Sequence, residues 1–317
     1  MRSGRLPGFR LVSETFKTAG GRPRYTSVMS KPRFEDARRF LYAEGRLLER
    51  RIFGVLFEQA DAGGALDAVR GYRNPDGGFG HGLEPDKRVP DSQPLDVEAA
   101  LYAMDAAGRV DQGLAAGACE FLQRLGPGVS CLTESYREYP RAPHWTDWAL
   151  APDLNPTAGI VAMLWKWGID HPWREAATSF CWEQIDSGWP ADAHGFGEML
   201  SFLAWTGDRG RADAVATAIR SDPAGTLGGL RMFRLDPSAP GYGVTPLHFA
   251  PAPDSPWIGL FEPAVIDAHL DDLAAAQRDD GGWPISWETI GPAAESDCRG
   301  AETLRALRTL RAFGRLP

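Results

Sequence analysis

Apolar residues recur at intervals of three and four positions along most of this chain, starting near Phe34. This spacing places apolar side chains on one face of an α-helix, where they can be buried together. The first stretch contains Phe40, Leu41, Leu47, Leu48, Ile52, Val55 and Leu56. Equivalent stretches cover residues 64–72, 94–107, 111–125, 155–168, 172–185, 194–206, 208–220, 263–278 and 299–313. No comparable stretch alternates with a period of two, so the pattern predicts an all-α protein with few or no strands.

Two kinds of connection join these predicted helices. Short turns at 107–110, 168–171 and 206–209 predict antiparallel neighbours. The other connections are long and rich in Gly, Pro and aromatic residues, at 73–93, 126–154, 221–262 and 279–298. Short turns at one end and long loops at the other are typical of a ring of helical hairpins. We therefore predict an α/α toroid of five to six hairpins with its site among the long loops, and leave open whether 221–262 contains a further helix.

The N-terminal segment, residues 1–33, lacks this periodicity. Its charged residues are Arg and Lys with the one exception of Glu14, and it has no apolar core of the kind that a signal peptide needs. We expect a disordered basic tail there, or a start codon assigned too early, upstream of Met29. Residues 34–317 are predicted to form a single domain.

The charge and the cysteine spacing exclude several classes of protein. A formal net charge of −8 opposes binding to nucleic acid, because that affinity comes from Lys and Arg. No stretch reaches the roughly 18 apolar residues of a transmembrane helix. No C-x-x-C pair occurs, so we expect a cytoplasmic protein in which all four cysteines are free thiols. These are Cys119, Cys131, Cys181 and Cys298.

Motifs for metals and cofactors are missing. The pairs Asp271-Asp272 and Asp279-Asp280 do not form the Asp-Asp-x-x-Asp arrangement that would hold a Mg²⁺-diphosphate. Neither a dinucleotide-binding glycine loop nor a P-loop occurs. We predict no bound metal and no cofactor, and the sequence leaves the oligomeric state open.

A short repeat opens two of the long loops. Residues 72–80 read Tyr-Arg-Asn-Pro-Asp-Gly-Gly-Phe-Gly and residues 276–284 read Ala-Gln-Arg-Asp-Asp-Gly-Gly-Trp-Pro, with a weaker copy at 182–189. Glycine in such a turn ends a helix, and the aromatic residue folds back on it. Gln277-x-x-x-Gly281-x-Trp283 resembles the QW repeat of the squalene and oxidosqualene cyclases. The resemblance implies their α/α toroid, which is shared with the β subunits of protein prenyltransferases.

A second segment resembles the acid motif of the class II terpene cyclases, Asp-x-Asp-Asp-Thr-Ala. Here the segment is Asp153-Leu-Asn155-Pro-Thr-Ala158, at the start of a predicted helix. The resemblance implies a catalytic place for Asp153 and a substrate contact for Asn155, yet an amide cannot supply the proton that the middle acid of that family gives. A structural explanation is sufficient too, since Asn155 is a favoured N-cap and Pro156 a favoured first helical residue.

The densest cluster of candidate chemistry lies between Gly80 and Glu98. It offers His81, Glu84, Asp86, Asp91 and Asp96 as candidate catalytic residues in a loop that runs into a helix. Neighbouring acids in a pocket have separated pKa values, which gives one neutral donor and one ionised base at the same pH. The alternative is a solvated turn in which these acids pair with Lys87 and Arg88 or favour a helix N-terminus.

Aromatic residues and one His-Glu pair complete the candidate site. Trp145, Trp148, Trp257 and Trp287 lie in long loops, where their faces could hold a carbocation, a polyene or a sugar ring. Alternatively, they form the small cores that such loops require. His194 and Glu198 share one helical face at a spacing of four, a spacing that is also common in surface pairs. We predict that all of them contact substrate.

Three functions fit these residues. The first is a terpene-cyclase-like enzyme, an isomerase or lyase, that acts on an isoprenoid or similar apolar small molecule with a non-standard acid. The second is a carbohydrate-active toroid, either a lyase or a hydrolase, because such rings combine Gly-Gly-Trp-Pro turns with acid pairs and stacked aromatics. The third is a toroid that binds a small molecule and has lost its chemistry.

Overall fold

The computed structural model describes residues 32–316, and within that range the chain forms thirteen α-helices, three short 3-10 helices and no strand. The α-helices are α1 Phe34–Glu44, α2 Leu47–Phe57, α3 Gly63–Arg70, α4 Pro94–Ala106, α5 Gln112–Gln123, α6 Leu154–Lys166, α7 Pro172–Ser187, α8 Ala193–Trp205, α9 Arg209–Ser221, α10 Pro223–Gly228, α11 Pro246–Phe249, α12 Pro263–Ala275 and α13 Pro292–Ala312. The all-α prediction is confirmed. The predicted basic tail lies, apart from Pro32 and Arg33, outside the described residues.

The helix bounds follow the apolar periodicity closely. The first predicted stretch is divided at Gly45, whose N–H bonds to the Leu41 carbonyl where α1 ends. Helix α13 begins seven residues before the predicted position 299, because its first two turns are polar and carry no apolar stripe. Segment 221–262 contains two short helices, α10 and α11. Between residues 32 and 316 no helix has the length and apolarity to span a bilayer.

Packing brings the two ends of the described chain together. Helix α13 contacts α1 and α2, while α6 packs against α4, α7 and α8. Further contacts join α2 to α4, α8 to α11, α11 to α12, and α12 to α13. One large apolar core runs through these helices, and a smaller one lies under loop 126–154. Helices α4, α6 and α8, in mutual contact through α6, carry the buried carboxyl groups described below.

The two copies of the repeat adopt the same turn. Asn74 N–H bonds to the Gly78 carbonyl and Arg278 N–H to the Gly282 carbonyl, at 2.9 Å in both turns. Gly77 has φ +91° and Gly281 has φ +95°. The aromatic residues that follow, Phe79 and Trp283, are 0% and 1% exposed. The repeat therefore ends a helix and buries a ring, as the pattern predicts.

Gln277 connects the second turn to the beginning of the domain. Its side chain accepts from Arg33 N–H and donates to the carbonyls of Arg33 and Gly281. Trp283 donates its indole N–H to the Leu273 carbonyl at 2.7 Å. The weaker copy differs, because Trp189 is 39% exposed and a β-carbon on Gly188 would meet no atom within 4 Å. That copy makes no comparable packing contact.

Candidate functional site

Two buried glutamates converge between α4, α6 and α8. Glu98 comes from the second turn of α4 and Glu198 from α8, and both reach over Gly159 of α6. A β-carbon on Gly159 would lie 2.0 Å from Glu198 Oε2 and 2.2 Å from Glu98 Oε1. Two oxygens that close to one point are near neighbours of each other. The missing side chain of Gly159 thus provides the space in which the two carboxyl groups meet.

This pair cannot carry two full negative charges in such surroundings. Burial raises the pKa of Glu98 well above its ordinary range, and repulsion from Glu198 raises it further. Burial also raises the pKa of Glu198, although hydrogen bonds from Glu98 and Tyr102 partly offset the rise. Glu98 Oε1 finds no other donor among the described residues. A proton shared between the two carboxyl groups satisfies both of them, so the pair holds at least one proton at neutral pH.

Three polar groups surround the pair. The Tyr102 hydroxyl lies 3.5 Å from Glu198 Oε2, and burial raises the pKa of this phenol well above its ordinary range. Cys131 is buried, with Sγ 3.4 Å from the backbone oxygen of Asn155 and 3.7 Å from its Oδ1. Burial raises the pKa of this thiol, so Cys131 is present as the neutral thiol. The described groups next to the carboxyl pair are therefore uncharged.

A second acidic cluster lies where loop 73–93 enters α4. Asp96 is 0% exposed and its Oδ1 accepts from Lys87 Nζ at 2.7 Å and from Glu84 N–H at 2.6 Å. Lys87 is itself fully buried, so the pair forms an ion pair inside the protein. Burial and repulsion from Asp86 raise the pKa of Glu84. The ion pair fixes this loop, and Glu84 is left in an environment that favours its neutral form.

Asp86 connects this acidic loop to the aromatic loop 126–154. Its Oδ1 accepts from the Trp145 indole N–H at 2.7 Å, and its Oδ2 lies 3.0 Å from His144 Nε2. The indole rings of Trp145 and Trp148 stack at 5.3 Å between centroids. A buried carboxylate therefore orients a histidine and a pair of stacked indoles together.

The third part of the site joins α8 to loop 229–245. The Tyr242 hydroxyl lies 2.7 Å from His194 Nε2, and Trp287 meets the Tyr242 ring edge-to-face at 5.8 Å. Burial lowers the pKa of His194, which is also at the positive N-terminal end of α8. His194 is thus neutral at neutral pH. The indole nitrogen of Trp287 is buried without an acceptor among the described residues, and a groove of about 320 Å³ adjoins this residue.

Two side chains of the site, Tyr242 and His248, are exposed and yet have shifted pKa values. Tyr242 is 41% exposed, yet burial raises its pKa and the nearby Glu84, Asp86 and Glu302 raise it further. His248 is exposed as well, yet burial lowers its pKa well below the ordinary value, with Arg305 and His194 adding to the effect. The groups that act on Tyr242 belong to loop 73–93 and α13, and those that act on His248 belong to α13 and α8. The electrostatic effects across the site indicate that these elements face one another.

The structure brings together some of the predicted residues and separates others. Glu84, Asp86, Asp96, Trp145, Trp148, His194, Glu198, Trp287 and Asn155 lie in or beside the parts just described. His81 is exposed and contacts Asn74, and Asp91 is exposed. Asp153 is exposed and caps α6 through Leu154 N–H. Trp257 is packed in the core, where its indole N–H bonds to the Leu200 carbonyl.

Two parts of the site were not predicted from the sequence: the pairing of Glu98 with Glu198, and the residues that lie opposite α8. Glu98 belongs to the predicted cluster, but its position near the N-terminus of α4 is also explained by the helix dipole. Tyr102 could have been found, since it follows Glu98 at a spacing of four on the same helical face. Tyr242, His248 and Arg305 carried no signal, because only the tertiary fold places them opposite α8.

Known proteins add nothing to this description. Comparisons with protein-family models, with curated proteins and with solved structures produced no match to the chain. The likeness to the cyclases therefore rests on the short motifs alone. Among residues 32–316 no three His, Cys, Asp or Glu side chains are grouped as a metal site would require. Function has to be argued from the side chains of the site.

Proposed function

We propose that this protein is an enzyme that transfers protons on a carbohydrate, as an isomerase or a lyase. The observation that carries the proposal is the protonated carboxyl pair Glu98–Glu198 on the same side of α8 as the neutral His194. General acid–base catalysis needs one group that gives a proton and one that accepts it at the same pH. Burial disfavours the charged form of each group. It therefore raises the pKa of the two carboxyl groups and lowers the pKa of the histidine.

The carboxyl pair is suited to donate a proton to oxygen. A carboxyl group with a raised pKa keeps its proton at neutral pH and can give it to a carbonyl or hydroxyl oxygen as negative charge develops there. After the transfer, the Tyr102 hydroxyl, 3.5 Å from Glu198 Oε2, stabilises the carboxylate on Glu198.

His194 is suited to accept a proton. Its Nε2 is hydrogen-bonded to Tyr242, whose raised pKa keeps the phenol protonated, so the hydroxyl donates and Nε2 accepts. A proton taken from substrate passes to the tyrosine oxygen as the tyrosine proton passes to Nε2.

The charges around the site favour a neutral sugar. Acidic side chains outnumber basic ones, and Lys87 and Arg305 are already paired with Asp96 and Glu302. An acidic sugar would be repelled, whereas sugar hydroxyl groups can bind to carboxylates. Hydrolysis is disfavoured by spacing, since glycosidases separate their two carboxyl groups by about 5 Å or more to hold substrate or water between them. Glu98 and Glu198 lie too close together for that role.

Cyclisation of an isoprenoid remains the second proposal. The QW-like turns at 73–79 and 277–283 and the stacked Trp145 and Trp148 support it. A weak acid does not protonate an alkene readily, however, and the raised pKa of Glu98 makes it weaker than an ordinary glutamic acid. Asn155 offers no proton, and Asp153 is exposed. An apolar substrate would also leave the many polar groups of the site without partners.

Two other features of the structure, the helix contacts and the state of the cysteines, support further parts of the proposal. The pairs α2–α4, α4–α6, α6–α8, α8–α11, α11–α12, α12–α13 and α13–α2 form a closed series, which supports a toroid around the site. All four cysteines are free and buried, which supports the reducing cytoplasm as the location.

The proposal is tested by a screen of ligands, followed by a measurement of hydrogen exchange at the carbon atoms of the ligand that binds. Neutral sugars are expected to raise the melting temperature, whereas uronic acids and prenyl diphosphates are not. A sugar that binds should incorporate deuterium at carbon from D₂O, as seen by proton NMR. Glu198→Gln should abolish this exchange, and Glu183→Gln, at an exposed position of α7, should leave it unchanged.

The outcomes separate the three hypotheses. Stabilisation by prenyl compounds alone, with formation of cyclised products, would establish the second proposal and reject the first. Binding of a sugar without exchange, hydrolysis or elimination would indicate a binding protein that has no catalysis. Neutral sugars that neither bind nor exchange would reject the carbohydrate assignment.

A further inference from the structure

We propose that the exposed face of Trp148 is a second sugar subsite, so that the substrate is an oligosaccharide and not a monosaccharide. This inference rests on the carbohydrate function proposed above. Trp148 lies in the 3-10 helix Asp147–Leu150 and is 52% exposed, more than the other tryptophans that reach the surface, Trp189 and Trp205. Its indole therefore leaves apolar surface accessible to a ligand.

The Trp148 ring is held in one orientation. Its indole N–H donates to the His144 carbonyl at 2.8 Å, and one ring face stacks on Trp145 with an angle of 24° between the planes. The polar edge and one face are therefore occupied by protein contacts. The remaining face is open, and it is preorganised because no rotamer has to be selected when a ligand arrives.

Hydrogen bonds join this face to the acidic cluster of the site, and electrostatic effects extend from that cluster to His194 and Tyr242. Trp145, directly under Trp148, donates to Asp86, and Asp86 also holds His144. His144 in turn acts on His194 electrostatically, and Asp86 acts on Tyr242. Trp148 thus lies on the solvent side of the Asp86 cluster. A saccharide bound beside that cluster can extend onto the open face of Trp148.

The chemistry of the face fits a sugar ring. Sugars present C–H groups on one face and hydroxyl groups at their edges, so they can stack on an indole while the hydroxyl groups stay in water. The edges of this platform offer polar partners, because His144 is 41% exposed and Asp147 lies exposed beside it. An apolar chain would leave these polar groups without hydrogen-bond partners. A nucleotide could stack its base on Trp148, but its phosphate would lack a basic partner there, since Arg137 already pairs with Asp147.

Affinity as a function of chain length tests the subsite. Glucose and its β-1,4- and α-1,4-linked di-, tri- and tetrasaccharides are titrated with the full-length protein, and binding is followed by tryptophan fluorescence and calorimetry. We expect one of the two series to bind more tightly at the disaccharide or trisaccharide than at glucose, by about tenfold for one stacked ring. Trp148→Ala should remove that gain, and Trp148→Phe should keep part of it.

Trp205→Ala is the matched control, because Trp205 is 44% exposed on the last turn of α8 and Lys166 covers its ring at 5.2 Å. It should leave the dependence on chain length unchanged. Two results would overturn the subsite and leave the proposed function standing. Glucose could bind as tightly as its oligomers, or the oligomers could bind Trp148→Ala as tightly as they bind the natural chain. Absence of binding by every saccharide would overturn both.

Discussion

Gly159 determines whether two carboxyl groups can meet between α4, α6 and α8. In Gly159→Ala the new β-carbon would lie 2.0 Å from Glu198 Oε2, so Glu98 and Glu198 must separate. We expect a loss of about 1–3 kcal/mol in the free energy of unfolding, as for other overpacked interiors. We also expect loss of deuterium exchange into the proposed sugar substrate, because separated carboxyl groups no longer share a proton. Urea unfolding and the NMR assay measure the two effects.

Gly210→Ala is the control for the helical substitution itself. Gly210 is an exposed residue of α9, and a β-carbon there would meet Asp208 Oδ1 at an ordinary 3.9 Å. Alanine favours a helix over glycine by roughly 0.5–1 kcal/mol, so this variant should be slightly more stable. If Gly159→Ala behaves in the same way, the carboxyl groups do not meet over that residue.

The shared proton also predicts how stability depends on pH. Glu98 and Glu198 have pKa values in the folded protein above the ordinary 4.5 of a glutamate. Their contribution to stability is therefore complete below about pH 4.5 and is lost as pH rises through the folded pKa values, by about 1.4 kcal/mol per pH unit for each group that titrates. In Glu98→Gln/Glu198→Gln neither group ionises. We expect this variant to equal the natural chain near pH 4.5 and to exceed it in stability at pH 9.

Urea unfolding at several pH values between 4.5 and 9 measures this difference. Glu183→Gln, at an exposed position of α7, should track the natural chain at every pH. A double variant whose stability runs parallel to that of the natural chain over the whole range would show that the pair is ionised in the folded protein.

The residues of the site were predictable to the extent that their signal was local. His194 and Glu198 share a helical face, and the run from Glu84 to Asp96 is dense in acids, so both appear in the sequence. The role of Glu98 depends on a carboxyl group 100 positions away and on a glycine of a third helix. His81 and Asp91, which belong to the same acidic run, point to solvent. Local density alone does not distinguish the buried residues from the exposed ones.

At the scale of the element, each copy of the repeated turn lies very close to the backbone of another helix. A β-carbon on Gly77 would lie 2.3 Å from the Gly117 carbonyl of α5, and one on Gly281 would lie 2.2 Å from the Asp36 carbonyl of α1. Both glycines also have positive φ, where a β-carbon is strained. The turn therefore connects one helix end to the backbone of another, which explains the first glycine of the pair in each copy.

Substituting these glycines tests the turn. Gly77→Ala and Gly281→Ala should each destabilise the protein by more than the roughly 1–2 kcal/mol of backbone strain, because backbone atoms must move as well. Gly188→Ala is the comparison, since its φ is +145° and no atom lies within 4 Å of its β-carbon position. It should cost only the strain. Thermal and urea unfolding rank the three variants, and equal losses would mean that the close approach has no energetic role.

The elements were the most predictable level of this molecule. Apolar stripes marked nearly every long helix, because an amphipathic helix has to bury one face whatever its partners are. Elements without such a stripe were missed or misplaced: the polar first turns of α13 and the short helices α10 and α11. Their positions follow from capping and from tertiary contacts, as at Asp222, which accepts from Gly225 N–H at 2.9 Å.

At the scale of the whole molecule, the ends of the described chain lie close together. Phe34 and Leu316 line the same groove of about 580 Å³, together with residues of α2 and Arg311 of α13. Arg311 also donates to the Leu56 carbonyl, and Ser296 lies 3.2 Å from Glu44. A closed series of helices requires such a junction. The toroid can therefore be tested by moving the chain ends elsewhere.

A circular permutant provides this test. Residue 316 is joined to residue 32 by a short Gly/Ser linker, and the chain is opened between Ser187 and Gly188, an exposed connection where Gly188 makes no close contact. Chain ends are tolerated at such exposed sites when the elements around them keep their partners. We expect a single cooperative unfolding transition with a melting temperature within a few degrees of the natural chain, and retained exchange of sugar hydrogen. The same opening without the linker leaves α1 and α13 joined only by side chains, so it should unfold at lower temperature. If the linked permutant is no more stable than the unlinked one, the ends do not form the junction that a closed toroid requires.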